Sequence, residues 1–209
     1  MPADRTMPIT VRQRGFTLVE LVVTIAVLAL ILFAAMPSIG SWLENTRIRN
    51  VADSLQNGLQ LARGEAVRRN QSVSLWLVSL NDPAVLSDDC SLSGASGAWI
   101  VSVNSPVGHC ADAPSTNSSP MIVTGRASGD SGGRVSVAAV QSADGSTEGT
   151  RVTFNGFGRV ANTDAIGQID VTGTTTGARA LRIVVSPSGS VRMCEPAIVD
   201  SAAKDPRKC

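Results

Sequence analysis

From Phe16 to Met36 the chain reads FTLVELVVTIAVLALILFAAM, 21 residues with one charge, Glu20, and Pro37 follows. At ~1.5 Å rise per residue, a helix of this length matches the ~30 Å hydrocarbon core of a bilayer. Residues 1–15 ahead of it are polar and basic, with Arg5, Arg12 and Arg14 against Asp4. A secretory signal peptide would have a shorter apolar core ending in an A-x-A-like cleavage site. Ala34-Ala35-Met36 before Pro37 fits that poorly. A plain membrane anchor fits both length and charge, with Arg12 and Arg14 on the cytoplasmic side.

Neither reading accounts for Glu20. A carboxylate inside an apolar span costs ~2.5 kcal/mol or more near the bilayer centre, less near the interface, and marks a functional position. Glu20 can snorkel to the headgroups. It can also pair with an amine created by a cut before Phe16, which would lie at i with Glu20 at i+4, or with such an amine on a neighbouring helix. Gly15-Phe16-Thr17-Leu18-Val19-Glu20 resembles the type IV prepilin signal, G|FTLxE behind a short basic leader. The resemblance implies that a prepilin peptidase cuts between Gly15 and Phe16 and methylates the new N-terminal Phe16. It makes Glu20 the fifth mature residue and an assembly residue. The mature chain would have 194 residues, and its net charge would fall from +1 to −1 (15 Lys+Arg, 16 Asp+Glu).

Pro37 lacks an N–H and disfavours helical geometry before it, which predicts a kink or break near Met36. Beyond it, Ile39, Trp42 or Leu43, Ile48, Val51, Leu55, Leu59, Ala62 and Ala66 recur mostly at intervals of three or four. Arg47, Arg49, Asn50, Asp53, Gln56, Asn57 and Gln60 fill much of the opposite face. This is an amphipathic helix with one stripe packed on a sheet. Glu65 can pair with Arg68 and Arg69, Asn70 is a stop signal, and Arg63, Arg68 and Arg69 read as a solvated face.

After Asn70 the period changes to two. The expected strands are Ser72–Ser79, Ala98–Val103, Met121–Gly125, Arg134–Gln141, Arg151–Phe154, Gly158–Ala161, Ala180–Ser186 and Ser190–Cys194. Gly-, Ser-, Asn- and Pro-rich stretches separate them, and no βαβ alternation occurs. An α+β fold follows, with an antiparallel sheet in two layers and the helix against one. Several segments resemble the FimT/FimU and type II secretion H-pseudopilin (GspH-like) family. They are Arg68-Arg69-Asn70-Gln71, the F-x-x-x-G-R element Phe154–Arg159, the S-x-x-G-x-V-R-x-C hairpin Ser186–Cys194, and the closing Asp205-Pro206-Arg207-Lys208-Cys209. The resemblance covers nearly the whole chain, with residues 82–150 anonymous, and the closing cysteine pattern points to the minor pilins. It implies the type IV pilin fold, a long helix of transmembrane and amphipathic halves packed on a β-sheet head. The expected organisation is a cleaved leader 1–15, a transmembrane and assembly helix 16–37, an amphipathic half 38–71 and a β-rich head 72–209.

Cys90, Cys110, Cys194 and Cys209 lack the CxxC spacing of metal or redox motifs. A head outside the cytoplasm permits disulfides. Of the three pairings that four cysteines allow, the sequence-adjacent set Cys90–Cys110 and Cys194–Cys209 is expected, each loop worth ~3 kcal/mol in the chain-entropy model. No catalytic fingerprint is present. His109 reads as exposed and Asp88-Asp89 as a turn, so no catalytic residue, metal or cofactor is expected. Some FimT-type pilins bind DNA through G-R-x-R on the late hairpin; here that stretch reads Gly189-Ser190-Val191-Arg192, with the first arginine absent. Arg182, Arg192, Lys204, Arg207 and Lys208 are the candidate DNA contacts. The function implied is a minor pilin of a type IV pilus, serving pilus biogenesis and twitching, with adhesion a further role. The alternatives are a DNA-binding minor pilin for natural transformation and a type II secretion H-pseudopilin. The expected partners are other minor and major pilins, the prepilin peptidase, an inner-membrane assembly platform and membrane lipid. The expected location is the bacterial inner membrane, single-pass with a periplasmic head, and then the fibre or its tip.

Overall fold

The computed structural model describes residues 15–129, 134–174, 177–198 and 205–209, without the side chains of residues 34–39. The chain divides into two compact units, one ending at Gly40 and the other running from Ser41 to Cys209. One helix, α1 (Leu18–Arg69), supplies residues to both. It continues through Pro37, so of the kink or break expected near Met36 the break does not occur. The lost N–H removes a single rung of the ladder, and long helical stretches on both sides supply the rest.

In the first unit Thr17 caps α1. Its Oγ1 accepts the N–H of Glu20 at 3.2 Å, and its carbonyl accepts the N–H of Leu21 at 3.1 Å. T-x-x-E is the capping-box pattern. The large apolar side chains described from Phe16 to Phe33 are exposed in the single chain, Phe16 at 82%. Among the described residues no helix is long and apolar enough to cross a membrane.

The second unit is organised by the rest of α1. Ile48, Ala52, Leu55, Leu59, Ala62 and Ala66 are fully buried, alternating steps of four and three along one face. Trp42 is instead 68% exposed and Leu43 is also exposed, so the stripe starts later than the sequence pattern suggests. On the intervening turn Glu44 is the buried side chain, packed against Gly173. The helix ends as expected at Asn70, with φ 50°. There Gln71 N–H donates to Ala66 O at 3.2 Å and Asn70 N–H to Val67 O at 3.3 Å, the two bonds of a Schellman closure.

Among the described residues nine strands follow: β1 (Val73–Leu80), β2 (Cys90–Leu92), β3 (Ala98–Ser102), β4 (Ile122–Arg126), β5 (Val135–Gln141), β6 (Arg151–Phe154), β7 (Ile166–Gly173), β8 (Leu181–Val185) and β9 (Val191–Cys194). All pairings between them are antiparallel. One sheet runs β2-β1-β3-β4, with β6 also paired to β1; the other runs β5-β7-β8-β9. A single core joins the α1 stripe to Leu75, Leu77, Trp99 and Val101 of the first sheet and Val137, Ile169, Val171 and Ile183 of the second. The helix therefore shares its core with both sheets rather than one. Trp99 Nε1 donates to Ser54 Oγ at 3.0 Å inside it. Gly58 allows this close approach, since a Cβ there would lie 2.9 Å from the Trp99 ring.

β1 is apolar on both faces for a reason. Trp76 and Val78 face away from the helix, into a smaller core with Cys90, Ala98, Ile100, Cys110 and Ile122. The Cys90–Cys110 bond ties down the segment that covers this face.

Candidate functional site

Three groups of residues concern function. The first is the N-terminal signal. Gly15, Phe16 and Thr17 precede the first helical residue, Leu18. The bond between Gly15 and Phe16 thus lies in non-helical backbone. A Cβ on Gly15 would meet nothing within 4 Å. Glu20 stands in the first turn, where a carboxylate complements the positive end of the helix dipole. Sequence reasoning missed the capping role of Thr17, although T-x-x-E was there to signal it.

The second group brings together two motifs far apart in the chain. In the turn Asn155–Arg159, Asn155 Oδ1 accepts the N–H of Phe157 and of Arg159, each at 3.0 Å. Phe154 behind it is fully buried. Val160 makes only an isolated bridge to Phe154, so the strand expected at Gly158–Ala161 does not form. Val160 N–H instead donates at 3.2 Å to Pro187 O in the β8–β9 hairpin. That hairpin holds its shape through Ser186, whose hydroxyl meets those of Ser188 at 2.7 Å and Ser190 at 2.8 Å. Gly189, at φ +83°, lies directly on the Gly158 carbonyl. Arg63 Nε donates to that same carbonyl at 3.0 Å. Arg63 is exposed, as expected of a solvated face, and in addition its Nε ties the Asn155–Arg159 turn to α1. Arg69 is also drawn in, with Nε 2.8 Å from Glu65 Oε2 in a largely buried pair. The bond from Arg68 and then that from Arg69 hold the Glu65 carboxyl below its ordinary value.

The third group is the basic C-terminal region. Cys194 and Cys209 are bonded, and Glu195 N–H donates to Arg207 O at 2.7 Å. Arg182 is committed to Asp170 through two bonds of 2.6 and 3.0 Å. Arg207 pairs with Asp205 at 2.7 Å and Glu195 at 3.7 Å. Arg207, chiefly by its side-chain bond, holds the Asp205 carboxyl below the usual range. Arg192 donates to Cys209 O at 3.0 Å, Lys208 bridges to Glu195 through the backbone, and Lys204 lies outside the described residues. Two of the candidate DNA contacts thus already face carboxylates. Phosphate binding needs uncommitted cations and weakens steeply with salt. The head alone, residues 42–209, is expected to leave duplex DNA unshifted in gels at physiological salt; a retarded band would favour the DNA-binding alternative.

Elsewhere His109 Nδ1 meets Asp112 at 3.0 Å on the surface, and Asp88 accepts the N–H of Ala111 at 2.9 Å. Among the described residues no group of three His, Cys, Asp or Glu could hold a metal. A shallow groove of about 440 Å³ beside Asp82, Ser93 and Ser128 carries no cluster of chemical groups.

The family model described as type II transport protein GspH matches residues 51–189. The chain belongs to the GspH family. The match runs from the buried stripe of α1 through both sheets to Gly189, so it contains both docked turns. A second model, the prokaryotic N-terminal methylation motif, matches residues 11–36 and includes Gly15, Phe16 and Glu20. Among solved structures, the chain is similar to the crystal structure of the Pseudomonas aeruginosa type IV minor pilin FimU. The identity is 13%, 75% of this chain and 97% of that one are covered, and the TM-score is 0.47. It is also similar to the solution structure of E. coli GspH, with 17% identity, 72% and 89% coverage and a TM-score of 0.40. No curated protein matches.

Proposed function

We propose that this GspH-family chain is a minor pilin, cut between Gly15 and Phe16, methylated on Phe16, held in the inner membrane and then added to a type IV pilus. The observation that carries the reading is the exposed apolar surface of residues 16–33, headed by the methylation motif. Such a helix is stable only where lipid or other apolar helices surround it. Fibre assembly replaces the first surrounding with the second, so extraction from the membrane does not expose the segment to water.

Glu20 supplies register in this scheme. Once the leader is gone, the Phe16 amine is a positive charge that an apolar fibre interior cannot leave unpaired. A carboxylate one turn along, on the same or a neighbouring helix, neutralises it. Glu20→Gln tests this cleanly, because Gln keeps the capping-box chemistry and loses the charge. The variant is expected to be cleaved normally, while its content in sheared fibres falls on the order of tenfold or more, as for a broken buried pair. Normal content would remove the register role.

The GspH match favours a second reading, a type II secretion pseudopilin. A deletion strain separates the two: loss of twitching with intact exoprotein release supports the pilus, and the reverse supports secretion.

A further inference from the structure

We propose that the tip of the Asn155–Arg159 turn docks the head onto a different pilin-type subunit, one presenting carboxylates around an apolar cleft. This rests on the reading that the chain joins a fibre.

Phe157 is 84% exposed, the highest value among the described large apolar side chains of the unit Ser41–Cys209. The turn does not need a ring there. Its shape comes from Asn155 Oδ1 and from two backbone bonds, Asn155 N–H to Arg159 O at 2.9 Å and Gly158 N–H to Asn155 O at 2.8 Å. Below the ring, Gly158 is buried between Gly189 and Arg63. Phe157 is thus a large apolar side chain on a stiff support. Rigid aromatic anchors of this kind dominate protein interfaces, because little ordering entropy is lost when they bind.

Next to the ring the surface is apolar and then positive. A groove of about 550 Å³ is lined by Gln60, Arg63, Gly64, Val67, Gly189 and Val191, and Val67 among them is exposed. Arg159 is exposed, and Arg63 uses its Nε on Gly158 O. Neither guanidinium is ion-paired among the described residues. Charge decides the occupant. Two copies of this chain meeting through this face would set Arg63 and Arg159 against their own counterparts, and facing like charges suppress association. A subunit with carboxylates beside an apolar cleft accepts the ring and pairs both arginines.

The test places a photo-crosslinking benzoylphenylalanine at position 157 of the full-length chain, produced in its host together with its fibre machinery. Irradiated fibres are expected to yield an adduct with a second N-methylated subunit, identified by mass spectrometry. Arg159→Glu should cut that yield about tenfold, the scale of one interface arginine. Changing a carboxylate near the crosslink on the partner to lysine should restore it. The Arg159→Glu chain should unfold within about 2 °C of wild type, as expected for a surface substitution. An adduct between two copies of this chain, an unchanged yield with Arg159→Glu, or no adduct from a chain that is present in the fibre would each overturn the proposal. Absence of the wild-type chain from fibres would overturn the reading beneath it.

Discussion

Gly189→Val is expected to destabilise the head more than any substitution on its surface. Two costs add. At φ +83° a β-branched residue is strained, and its Cβ would land on the Gly158 carbonyl oxygen. That oxygen cannot retreat easily, because it also accepts the Arg63 Nε bond. Together these amount to about 3 kcal/mol or more. In a unit of this size that lowers the unfolding midpoint by roughly 6–12 °C, readable by circular dichroism on residues 42–209. Gly158→Ala should cost less: its φ of +71° is similarly strained, but the Cβ would meet only side-chain atoms of Arg63 and Val67, at 3.0 Å and beyond. Ser188→Ala, on the exposed side of the same hairpin, should barely move the midpoint. If Gly189→Val unfolds with Ser188→Ala, the two turns do not lean on each other.

The same contact shows where sequence reading stopped. The F-x-x-x-G-R and S-x-x-G motifs were legible, and so was each turn, because Gly, Pro, Asn and Ser carry local conformational preferences. That Gly189 of the second turn sits on the Gly158 carbonyl of the first is a tertiary fact, and no periodicity encodes it. The α1 stripe was read nearly whole, since a 3.6-residue repeat survives in the sequence, but its first turn was misplaced. Trp42 and Leu43 look like core and are exposed, while Glu44 looks like surface and is 2% exposed. β7 was missed for a clear reason. Ile166 and Ile169 are both buried although three residues apart, because the register slips opposite Val140 and Gln141. A bulge of this kind breaks the period-two signal. β2 has only three residues, too few to show any period. In the N-terminal site the residue types and spacing were legible in full, since the motif is local. The capping role of Thr17 was equally local, and it was masked by the stronger functional reading of its neighbours.

Gly15→Val should leave the leader attached, which would show on gels as a full-length chain and in mass spectra as fifteen retained residues with an unmethylated Phe16. The chain itself gives valine no reason to fail. A Cβ at position 15 meets nothing, and α1 begins only at Leu18, so folding of the head and insertion of the apolar run should proceed. Any block therefore arises in the peptidase, where a residue without a side chain lets backbone approach closely. A displacement of about 1 Å at a scissile bond lowers a rate on the order of 100-fold. The consequence then reaches assembly. With the leader in place no amine exists at Phe16, so Glu20 has no partner to neutralise, and the uncleaved chain should be missing from fibres just as Glu20→Gln is. The two variants reach the same defect by removing opposite charges of one pair, and only the first changes the mass of the chain. A Gly15→Val chain that keeps its leader yet enters fibres normally would show that the Phe16 amine is not what Glu20 answers.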